Sequence, residues 1–501
     1  MKMNLDWRQV DIRWFAVAAS LLLSISTLFS QEVPNSDAYT YARTAEIFLA
    51  DGLKAAYQHY SWASYSILIG IVSWSGLDVF SAGLLVNALF YALLVYAFLS
   101  IAKEIKDSRA LLLLAAISIL VYPQLNEYRE LIIRDTGFWA LSLFALWQYL
   151  LYTKTQSKQH AVVFCTSLLI AASFRAEAIA YLVFTPLGLL LDYRMDIGAR
   201  SRLLVRMYTI MISLSVGLLI FLALMGLNVG QLFIDFASIY EPFITGNFTL
   251  NDEERALLGS LLFTEYAATF SREYIEIFLL AGMIAILLAN LISAIGAPYL
   301  LVVIVARLKK QTHLEREIAV PLIFYLCMNL LILLGFLLLT RYLSSRYAIL
   351  MCILLALFVP IVMLHFLESA KPSNQNRIRI VIAIFFSYCA IDSYYSFGES
   401  KSYVRDSIEW IAQNTDEDSG LVTNNHALAY FSGKIENYDL TQRNLSEEEI
   451  LSSEAGDTIA AELTFETQKL LEREDIADKL MLLASFPNSE KQRILVFQRL
   501  K

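Results

Sequence analysis

The chain has 501 residues, of which 57% are hydrophobic and only 17% are charged, and its net charge at pH 7 is −8. Soluble domains carry about 25% charged residues, so a water-soluble enzyme is excluded as a description of the whole chain. The acidic balance excludes a basic surface for nucleic acid. The four cysteines lie far apart in apolar segments, which excludes a disulfide scaffold.

Apolar segments recur from Trp14 to about Ser396. A membrane-spanning helix needs about 20 mostly apolar residues, and about 11 segments approach this length. The sequence therefore predicts an all-α polytopic membrane protein. The predicted spans are 14–30, 78–102, 110–122, 136–152, 161–174, 178–191, 207–228, 276–306, 318–340, 347–366 and 379–396.

Lysine and arginine are concentrated in alternate loops, for example at 194–206 and 307–316. Cytoplasmic loops carry the excess of basic residues in membrane proteins. The pattern predicts a multi-pass protein of the inner (plasma) membrane with a cytoplasmic amino terminus. The residues after Tyr395 are then extracytoplasmic.

The sequence predicts two domains, a transmembrane catalytic domain at 1–396 and a soluble extracytoplasmic domain at 397–501. Two long loops of the first domain lie outside the membrane. One is 31–77, which contains a helix at 37–52 and an interfacial segment at 58–75, and the other is the acidic loop 229–275. The tail at 397–501 is predicted to be a small α/β domain that modulates acceptor binding and supplies no catalytic group. Its predicted elements are a helix at 401–414, strands at 420–424, 458–464 and 493–499, and a helix at 466–486.

Ionisable residues recur at the predicted outer ends of the spans. They are Asp37, Arg134, Asp135, Arg175, Glu177, Arg341 and Arg346. Such groups are costly near a bilayer unless they are paired or hydrated, so they are candidates for function. The alternative is that they only reach the interface or form ion pairs between helices.

These residues stand in short motifs whose order is informative. The first outer loop reads P-N-S-D-A-Y-T-Y-A-R-T-A from Pro34, the fourth span opens with R-D-T-G-F-W from Arg134, and F-R-A-E follows from Phe174. A late span opens with R-Y-L-S-S-R-Y from Arg341. Over residues 14–396 this order resembles the GT-C membrane glycosyltransferases, which include protein O-mannosyltransferases, the lipid A aminoarabinose transferase and rhizobial lipopolysaccharide transferases. Ala38 replaces the second acidic residue of the family's first motif.

The resemblance implies a sugar donor linked to polyprenyl phosphate and a glycan, lipid or protein acceptor, in synthesis of cell-envelope glycan or lipopolysaccharide. Asp37 is the candidate general base, because attack by an acceptor hydroxyl requires removal of its proton. Asp135 and Tyr41 are candidates to orient the acceptor. The question of a divalent cation held by Asp37 and Asp135 stays open, and no other cofactor is predicted.

The candidate ligands of the donor phosphate are Arg346, Arg341, Tyr347 and Arg175, since the planar guanidinium matches an oxyanion and keeps its charge. Arg341 and Arg346 are five residues apart, which on one continuous helix separates them by about 140°. Only one of them is then expected to face the phosphate, and Arg346 is favoured because it opens the predicted helix.

Three other functions remain open at this stage. The first is a flippase or transporter of lipid-linked oligosaccharide, although transporters concentrate ionisable groups at the bilayer midplane and often contain repeated halves. The second is a polymerase or ligase of surface polysaccharide. The third is a membrane-anchored sensor, although eleven spans exceed what anchoring requires. The D-x-D pattern at Asp416–Asp418 is interpreted as a solvated turn, and the sequons at Asn247 and Asn444 are predicted to face outward.

Overall fold

The computed structural model describes residues 11–27, 33–245, 250–264, 267, 274–308, 314–395, 402–416, 419–487 and 492–500. The sequon at 247–249 and the last two residues of the D-x-D pattern lie outside these ranges. The chain divides into two compact units. We call Met1–Ser24, Asn87–Glu130 and Arg134–Tyr395 the helical unit, and Ile25–Val86, Leu131–Ile133 and Ser396–Lys501 the mixed unit.

Long apolar helices dominate the first 395 residues. The helices are α1 (Ile12–Thr27), α2 (Ser36–Asp51), α3 (Leu53–His59), α4 (Ser64–Ser73), α5 (Val79–Ile105), α6 (Arg109–Leu120), α7 (Pro123–Asn126), α8 (Asp135–Thr155), α9 (Lys158–Ala172), α10 (Glu177–Phe184), α11 (Ile197–Leu224), α12 (Val229–Thr245), α13 (Asp252–Leu262), α14 (Ile275–Ile295), α15 (Ala297–Leu308), α16 (Arg316–Thr340), α17 (Ser345–Ala356), α18 (Phe358–Ser369) and α19 (Gln375–Tyr394). A 3₁₀ segment at Thr185–Leu191 continues α10. Where the structure describes them, the predicted spans are helical, although 276–306 and 347–366 each contain two helices.

Within the part of the chain that the structure describes, five helices are long and apolar enough to cross a membrane. They are Val79–Ile105, Ile197–Leu224, Ile275–Ile295, Arg316–Thr340 and Ser345–Ser369, the last of which comprises α17 and α18. Six shorter apolar helices accompany them. The protein is therefore a polytopic membrane protein, and the number of eleven crossings stays a prediction.

The predicted eighth span at 276–306 is not one helix, because the chain breaks at Gly296 between α14 and α15. Gly296 has a φ of +74°, a conformation that costs little only for glycine. A Cβ atom built there would overlap only the end of the flexible Gln124 side chain, which can move aside. The positive φ is therefore the reason that the break requires glycine at this position.

The tail forms a four-stranded mixed sheet with short helices. Its strands are β1 (Leu421–Thr423), β2 (Thr458–Glu462), β3 (Leu480–Phe486) and β4 (Ile494–Arg499), in the order β1-β2-β4-β3. β1 and β2 are parallel, whereas β4 is antiparallel to both of its neighbours. Its helices are α20 (Ser402–Asn414), α21 (His426–Phe431), α22 (Glu447–Ser452), α23 (Phe465–Leu471) and α24 (Glu474–Ala477).

The prediction of one helix over 466–486 is wrong in its second half. Helical structure ends at Ala477, and Leu480–Phe486 form β3, paired with β4 from Leu480↔Arg499 to Phe486↔Ile494. A continuous apolar run has no periodicity that separates a strand from a helix. Pairing with β4 decides the conformation, and the local sequence does not show that pairing.

The tail shares a hydrophobic core with the first loop. Tyr39 of α2 is 1% exposed and packs in one cluster with buried residues of α20, α21, β2 and β4. The mixed unit therefore contains both segments, although more than 300 residues separate them in the chain. The proposed boundary between domains at 396/397 stays a prediction.

Candidate active site

Three helices of the helical unit begin with polar residues that meet in space. Asp135 is the first residue of α8, Glu177 is the first residue of α10, and Arg346 is the second residue of α17. Carboxylates are stabilised at helix amino termini, because the unpaired amide groups there carry a partial positive charge. This explains why the acidic residues begin the helices.

Arg175, in the turn between α9 and α10, joins these helix ends. Its Nη1 contacts Oδ1 of Asp135, and its Nη2 contacts Oε1 of Glu177. Its Nε lies 3.2 and 3.3 Å from the two carboxylate oxygens of Glu177. The side chains of Asp135 and Arg175 are only 3% and 10% exposed. One buried guanidinium thus neutralises part of the charge of two carboxylates.

Aromatic side chains enclose this ion network. The guanidinium carbon of Arg175 lies 4.3 Å from the ring centroid of Tyr347 and 5.7 Å from that of Phe138. The guanidinium carbon of Arg346 lies 5.5 Å from the Tyr347 ring. Tyr347 therefore lies in contact distance of both arginines, which is a favourable arrangement for cations over an aromatic ring.

A narrow cleft opens beside Arg175 and Tyr347. Its other lining residues include Trp139, Tyr181 and Asn329. Its free volume is about 20 Å³, which is room for about one water molecule. A sugar can therefore enter this cleft only if the surrounding aromatic side chains move.

Arg341 and Arg346 do not lie on one helix, so the predicted separation of 140° does not apply. Arg341 ends α16 in the left-handed conformation, with a φ of 54°, and α17 begins only at Ser345. Arg346 lies in the first turn of α17 and is half-buried, whereas Arg341 is exposed. The two arginines belong to different helices joined by a short turn, and a helical-wheel argument cannot relate their directions.

Asp37 and Tyr41 lie on α2 in the mixed unit. Asp37 is in the first turn and is half-exposed. The residue before α2, Asn35, accepts a hydrogen bond of 2.8 Å from the amide of Ile132 and donates one of 3.2 Å to its carbonyl. This pair of bonds fixes the beginning of α2, and with it the first turn that carries Asp37, to the segment 131–133.

The ring of Tyr41 is buried among other tyrosines. Tyr41 is 4% exposed, and its ring makes edge-to-face contacts with Tyr65 at 5.0 Å and Tyr60 at 6.1 Å between centroids. These neighbours belong to α4 and to the turn before it. The side chain therefore helps to pack α2 against the predicted interfacial segment.

Among the residues that the structure describes, no group of three His, Cys, Asp or Glu side chains is spaced to hold a metal ion. Asp135, one of the two predicted metal candidates, contacts the guanidinium of Arg175. The guanidinium of Arg175 therefore already neutralises the carboxylate of Asp135, as a bound metal ion would. The donor set around Asp135 therefore fits an ion pair better than a metal site.

Glu177 was among the ionisable candidates of the sequence, but no role was assigned to it. Arg129 was not singled out as a candidate at all. Arg129 is 3% exposed, and it donates hydrogen bonds to Ser24 at 2.6 Å and to Asn126 at 3.1 Å, with its guanidinium 4.3 Å from the Tyr91 ring. A cluster of charged residues between two apolar spans was the available signal for Arg129, and its neutral partners could not be inferred from the sequence.

We expect Arg175→Gln to lower the free energy of unfolding by about 3–5 kcal/mol, because it leaves the buried carboxylate of Asp135 and the half-buried carboxylate of Glu177 without their cation. Denaturation of the purified protein in mixed micelles of SDS and a mild detergent measures the change. Arg255→Gln is the matched control, since the Arg255–Glu276 pair is 38% and 51% exposed. Exposed pairs contribute about 0–1 kcal/mol.

A second variant separates charge imbalance from loss of packing. Adding Asp135→Asn to Arg175→Gln removes one unpaired carboxylate, so part of the lost stability should return. Equal destabilisation in the single and double variants would contradict the electrostatic explanation.

The arrangement defines a polytopic membrane protein with a buried ion network at the starts of three helices. Comparison of the whole fold gives two kinds of similar solved structure. The oligosaccharyltransferase AglB from Archaeoglobus fulgidus, in complex with an inhibitory peptide and a dolichol-phosphate, has a TM-score of 0.56 at 12% identity and covers 93% of this chain and 71% of its own. ArnT from Cupriavidus metallidurans, bound to undecaprenyl phosphate, has a TM-score of 0.54 at 11% identity and covers 96% of this chain and 97% of its own.

A second structure of the Archaeoglobus fulgidus enzyme, tethered to an acceptor peptide with the NVT sequon, has a TM-score of 0.55 at 12% identity and covers 99% of this chain and 75% of its own. No protein-family model matches the sequence, and neither does any curated protein sequence. These similarities show that the chain has the fold that AglB and ArnT share. At the level of the fold they confirm the resemblance that the order of sequence motifs indicated.

Proposed function

We propose that the protein is a glycosyltransferase that moves a sugar from a polyprenyl-phosphate donor to an acceptor at the outer face of the inner membrane, in synthesis of cell-envelope glycan or lipopolysaccharide. The observation that carries the proposal is the cluster of Arg346, Tyr347 and the Arg175 network at the starts of three helices. The proposal is also supported by comparison with solved structures. Over nearly the whole chain, the fold is similar to that of two structures that contain dolichol-phosphate or undecaprenyl phosphate.

The donor phosphate is proposed to bind Arg346, with Arg341 and the hydroxyl of Tyr347 as further donors of hydrogen bonds. Arg346 lies at a helix start, where the free amide groups add to the attraction for an anion. A guanidinium also forms paired hydrogen bonds with phosphate oxygens. Negative charge grows on the phosphate as the sugar leaves, so these donors stabilise the transition state.

Arg175 is proposed to act on the donor indirectly. Asp135 and Glu177 already bind its guanidinium, so a phosphate would have to displace a buried carboxylate. Its position 4.3 Å from the Tyr347 ring lets it orient that ring instead. Asp135 is then held in a fixed direction and remains our candidate for orienting the acceptor, together with Tyr41.

Asp37 is proposed as the general base. The acceptor hydroxyl loses its proton to the Asp37 carboxylate, and its oxygen forms a bond to the anomeric carbon of the sugar. The bond between that carbon and the phosphate oxygen breaks, and the electron pair leaves with the lipid phosphate. Atoms and charge balance without a redox partner.

Binding of the carrier lipid is the first test of the proposed function. The purified protein in nanodiscs is titrated with undecaprenyl phosphate, and undecaprenol of the same chain length is the control without a phosphate. We expect saturable binding of the phosphate alone. Equal binding of both lipids would contradict a phosphate site and would favour a protein that only packs against the chain.

The proposed topology makes a separate prediction. We expect a cysteine at Ser452, an exposed position in the tail, to react with a membrane-impermeant maleimide in spheroplasts. A cysteine at Gln159, exposed in the first turn of α9 on the side predicted to be cytoplasmic, should react only after permeabilisation. Both belong in a Cys327→Ser background, because Cys327 is the exposed native cysteine of the four. The reverse order of labelling would contradict the predicted orientation.

A further inference from the structure

Residues of the tail contact one side of the helix that carries Asp37. Tyr39, two residues after Asp37, lies with its ring centroid 5.9 Å from His426, 5.8 Å from Tyr430 and 6.4 Å from Tyr438. Tyr430 and Tyr438 contact each other edge to face at 4.8 Å. We call the segment 426–439 the tail clamp. It encloses an aromatic side chain that belongs to the first turns of α2.

A second contact of the tail clamp lies two turns further along α2. The hydroxyl of Tyr438 donates a hydrogen bond of 2.9 Å to Oε2 of Glu46, and Arg43 lies 3.6 Å from the same carboxylate. Burial and the charge of Glu46 raise the pKa of the Tyr438 hydroxyl, which therefore stays protonated and donates. One tyrosine of the clamp thus contacts both Tyr39 and Glu46 on α2.

A third contact continues onto α3. Nε2 of His59, the last residue of that helix, lies 2.9 Å from Oδ2 of Asp439, whose side chain is 3% exposed. Asp439 directly follows Tyr438, so neighbouring residues of the clamp hold both helices. The clamp is itself braced, because Nδ1 of His426 is 2.9 Å from the carbonyl oxygen of Tyr438.

We propose that the tail clamp is a positioning element for α2, which holds the first turn of that helix and keeps the carboxylate of Asp37 in its working direction. The inference rests on the proposed function for the role of Asp37, but the contacts of the clamp do not depend on it. Tyr438 is then a positioning residue, not a catalytic one. The tail acts on the rate of the transfer step, which differs from the earlier expectation that it modulates acceptor binding.

Geometry explains why a small displacement of α2 matters. A general base must lie within hydrogen-bonding distance of the proton that it removes. A displacement of about 1 Å in the position of a reacting group can lower a rate about 100-fold. Asn35 fixes the beginning of α2 by its two bonds to Ile132, and the clamp fixes the side of the helix from Tyr39 to Glu46.

The test compares Tyr438→Phe, which removes only the bond to Glu46, with Tyr438→Ala, which also removes the ring. Hydrogen exchange of the α2 amides in the full-length protein is the first measurement, and it is independent of any activity. We expect exchange in residues 36–51 to be about tenfold faster in Tyr438→Phe, because a hydrogen bond to a charged group is lost. Phe465→Ala is the control, since Phe465 is 80% exposed on the tail and lies outside the shared core.

The second measurement is release of undecaprenyl phosphate from an undecaprenyl-phosphate-linked sugar in the presence of envelope extract. We expect kcat to fall in the Tyr438 variants, while the KM for acceptor extract and the Kd for undecaprenyl phosphate stay at wild-type values. Glu46→Ala should have at least the effect of Tyr438→Phe, because it also removes the contact with Arg43. Adding Tyr438→Phe to Glu46→Ala should cause no additional loss, because the hydrogen bond between the two side chains is already absent.

Each outcome is decisive for one of the two proposals. Unchanged exchange in α2 overturns the clamp, even if Tyr438→Ala does not fold, because Tyr438→Phe and Glu46→Ala report the same bond. Faster exchange with unchanged kcat overturns positioning of Asp37. A raised KM for the acceptor extract at constant kcat also overturns positioning of Asp37, and it favours acceptor binding by the tail. Absence of release by the wild-type protein contradicts the proposed function and leaves the exchange result valid for the clamp.

Discussion

Replacing Asp37 by asparagine is expected to lower the rate of sugar transfer about 100-fold or more, the contribution of a well-placed general base. The amide has the same size as the carboxylate, but it cannot accept the proton of the acceptor hydroxyl. Binding of undecaprenyl phosphate should not change, since Asp37 is proposed to contact the acceptor alone. Release of undecaprenyl phosphate from the linked donor measures the rate, and a titration in nanodiscs measures the affinity.

Asp51→Asn is the matched control for this variant. Asp51 is the last residue of the same helix and is exposed, so its replacement removes a charge without removing the proposed base. We expect its rate to equal that of the wild-type protein. An Asp37→Asn variant that keeps more than about a tenth of the wild-type rate would refute the assignment, because the loss is then smaller than a general base provides.

The positions of the helices were predictable from the sequence, and their interruptions were not. Apolar segments of sufficient length specify helices, because in lipid the backbone must satisfy its own hydrogen bonds. The break at Gly296 depends on a positive φ, a backbone conformation that composition does not locate. The 3₁₀ continuation of α10 and the division between α17 and α18 are local adjustments of the same kind.

In the tail, most elements were predictable from the local sequence, but one strand and the contacts with the first loop were not. Its helix α20 and the strands β1, β2 and β4 have boundaries near those predicted, since their patterns are short and distinct. β3 was mistaken for helix, because the run Leu480–Phe486 is apolar on both faces and gains its conformation from pairing with β4. The contact between Tyr39 and the tail could not be predicted either, since the sequence pattern of neither segment indicates which segment it packs against.

The members of the candidate site were predictable one by one, but their contacts were not. Asp135, Arg175 and Arg346 attracted attention because each is an ionisable residue at the end of an apolar span. Which carboxylates bind Arg175 depends on the packing of α8, α9 and α10. The sequence favoured a phosphate ligand at Arg175, whereas the structure places it between Asp135 and Glu177, and this difference changes its proposed role.

The arginines at the turn between α16 and α17 provide the second large effect. We expect Arg346→Ala to weaken binding of undecaprenyl phosphate about 10- to 150-fold, because hydrogen bonds to a charged group contribute about 1.5–3 kcal/mol. Arg346→Lys should lose part of this affinity, since lysine keeps the charge but not the planar pair of donors. Arg341→Ala should have a smaller effect, because Arg341 is exposed at the end of α16.

Titration of each variant with undecaprenyl phosphate in nanodiscs gives the Kd, and Arg307→Ala is the control for loss of one positive charge. Arg307 is exposed in the last turn of α15, next to a loop that is predicted to be cytoplasmic. A general effect of charge on an anionic lipid would weaken binding equally in Arg307→Ala and Arg346→Ala. An unchanged Kd in both Arg346→Ala and Arg341→Ala would place the phosphate elsewhere. Arg175 would then have to bind it directly, and Asp135→Asn, which frees one of its donors, should raise the affinity.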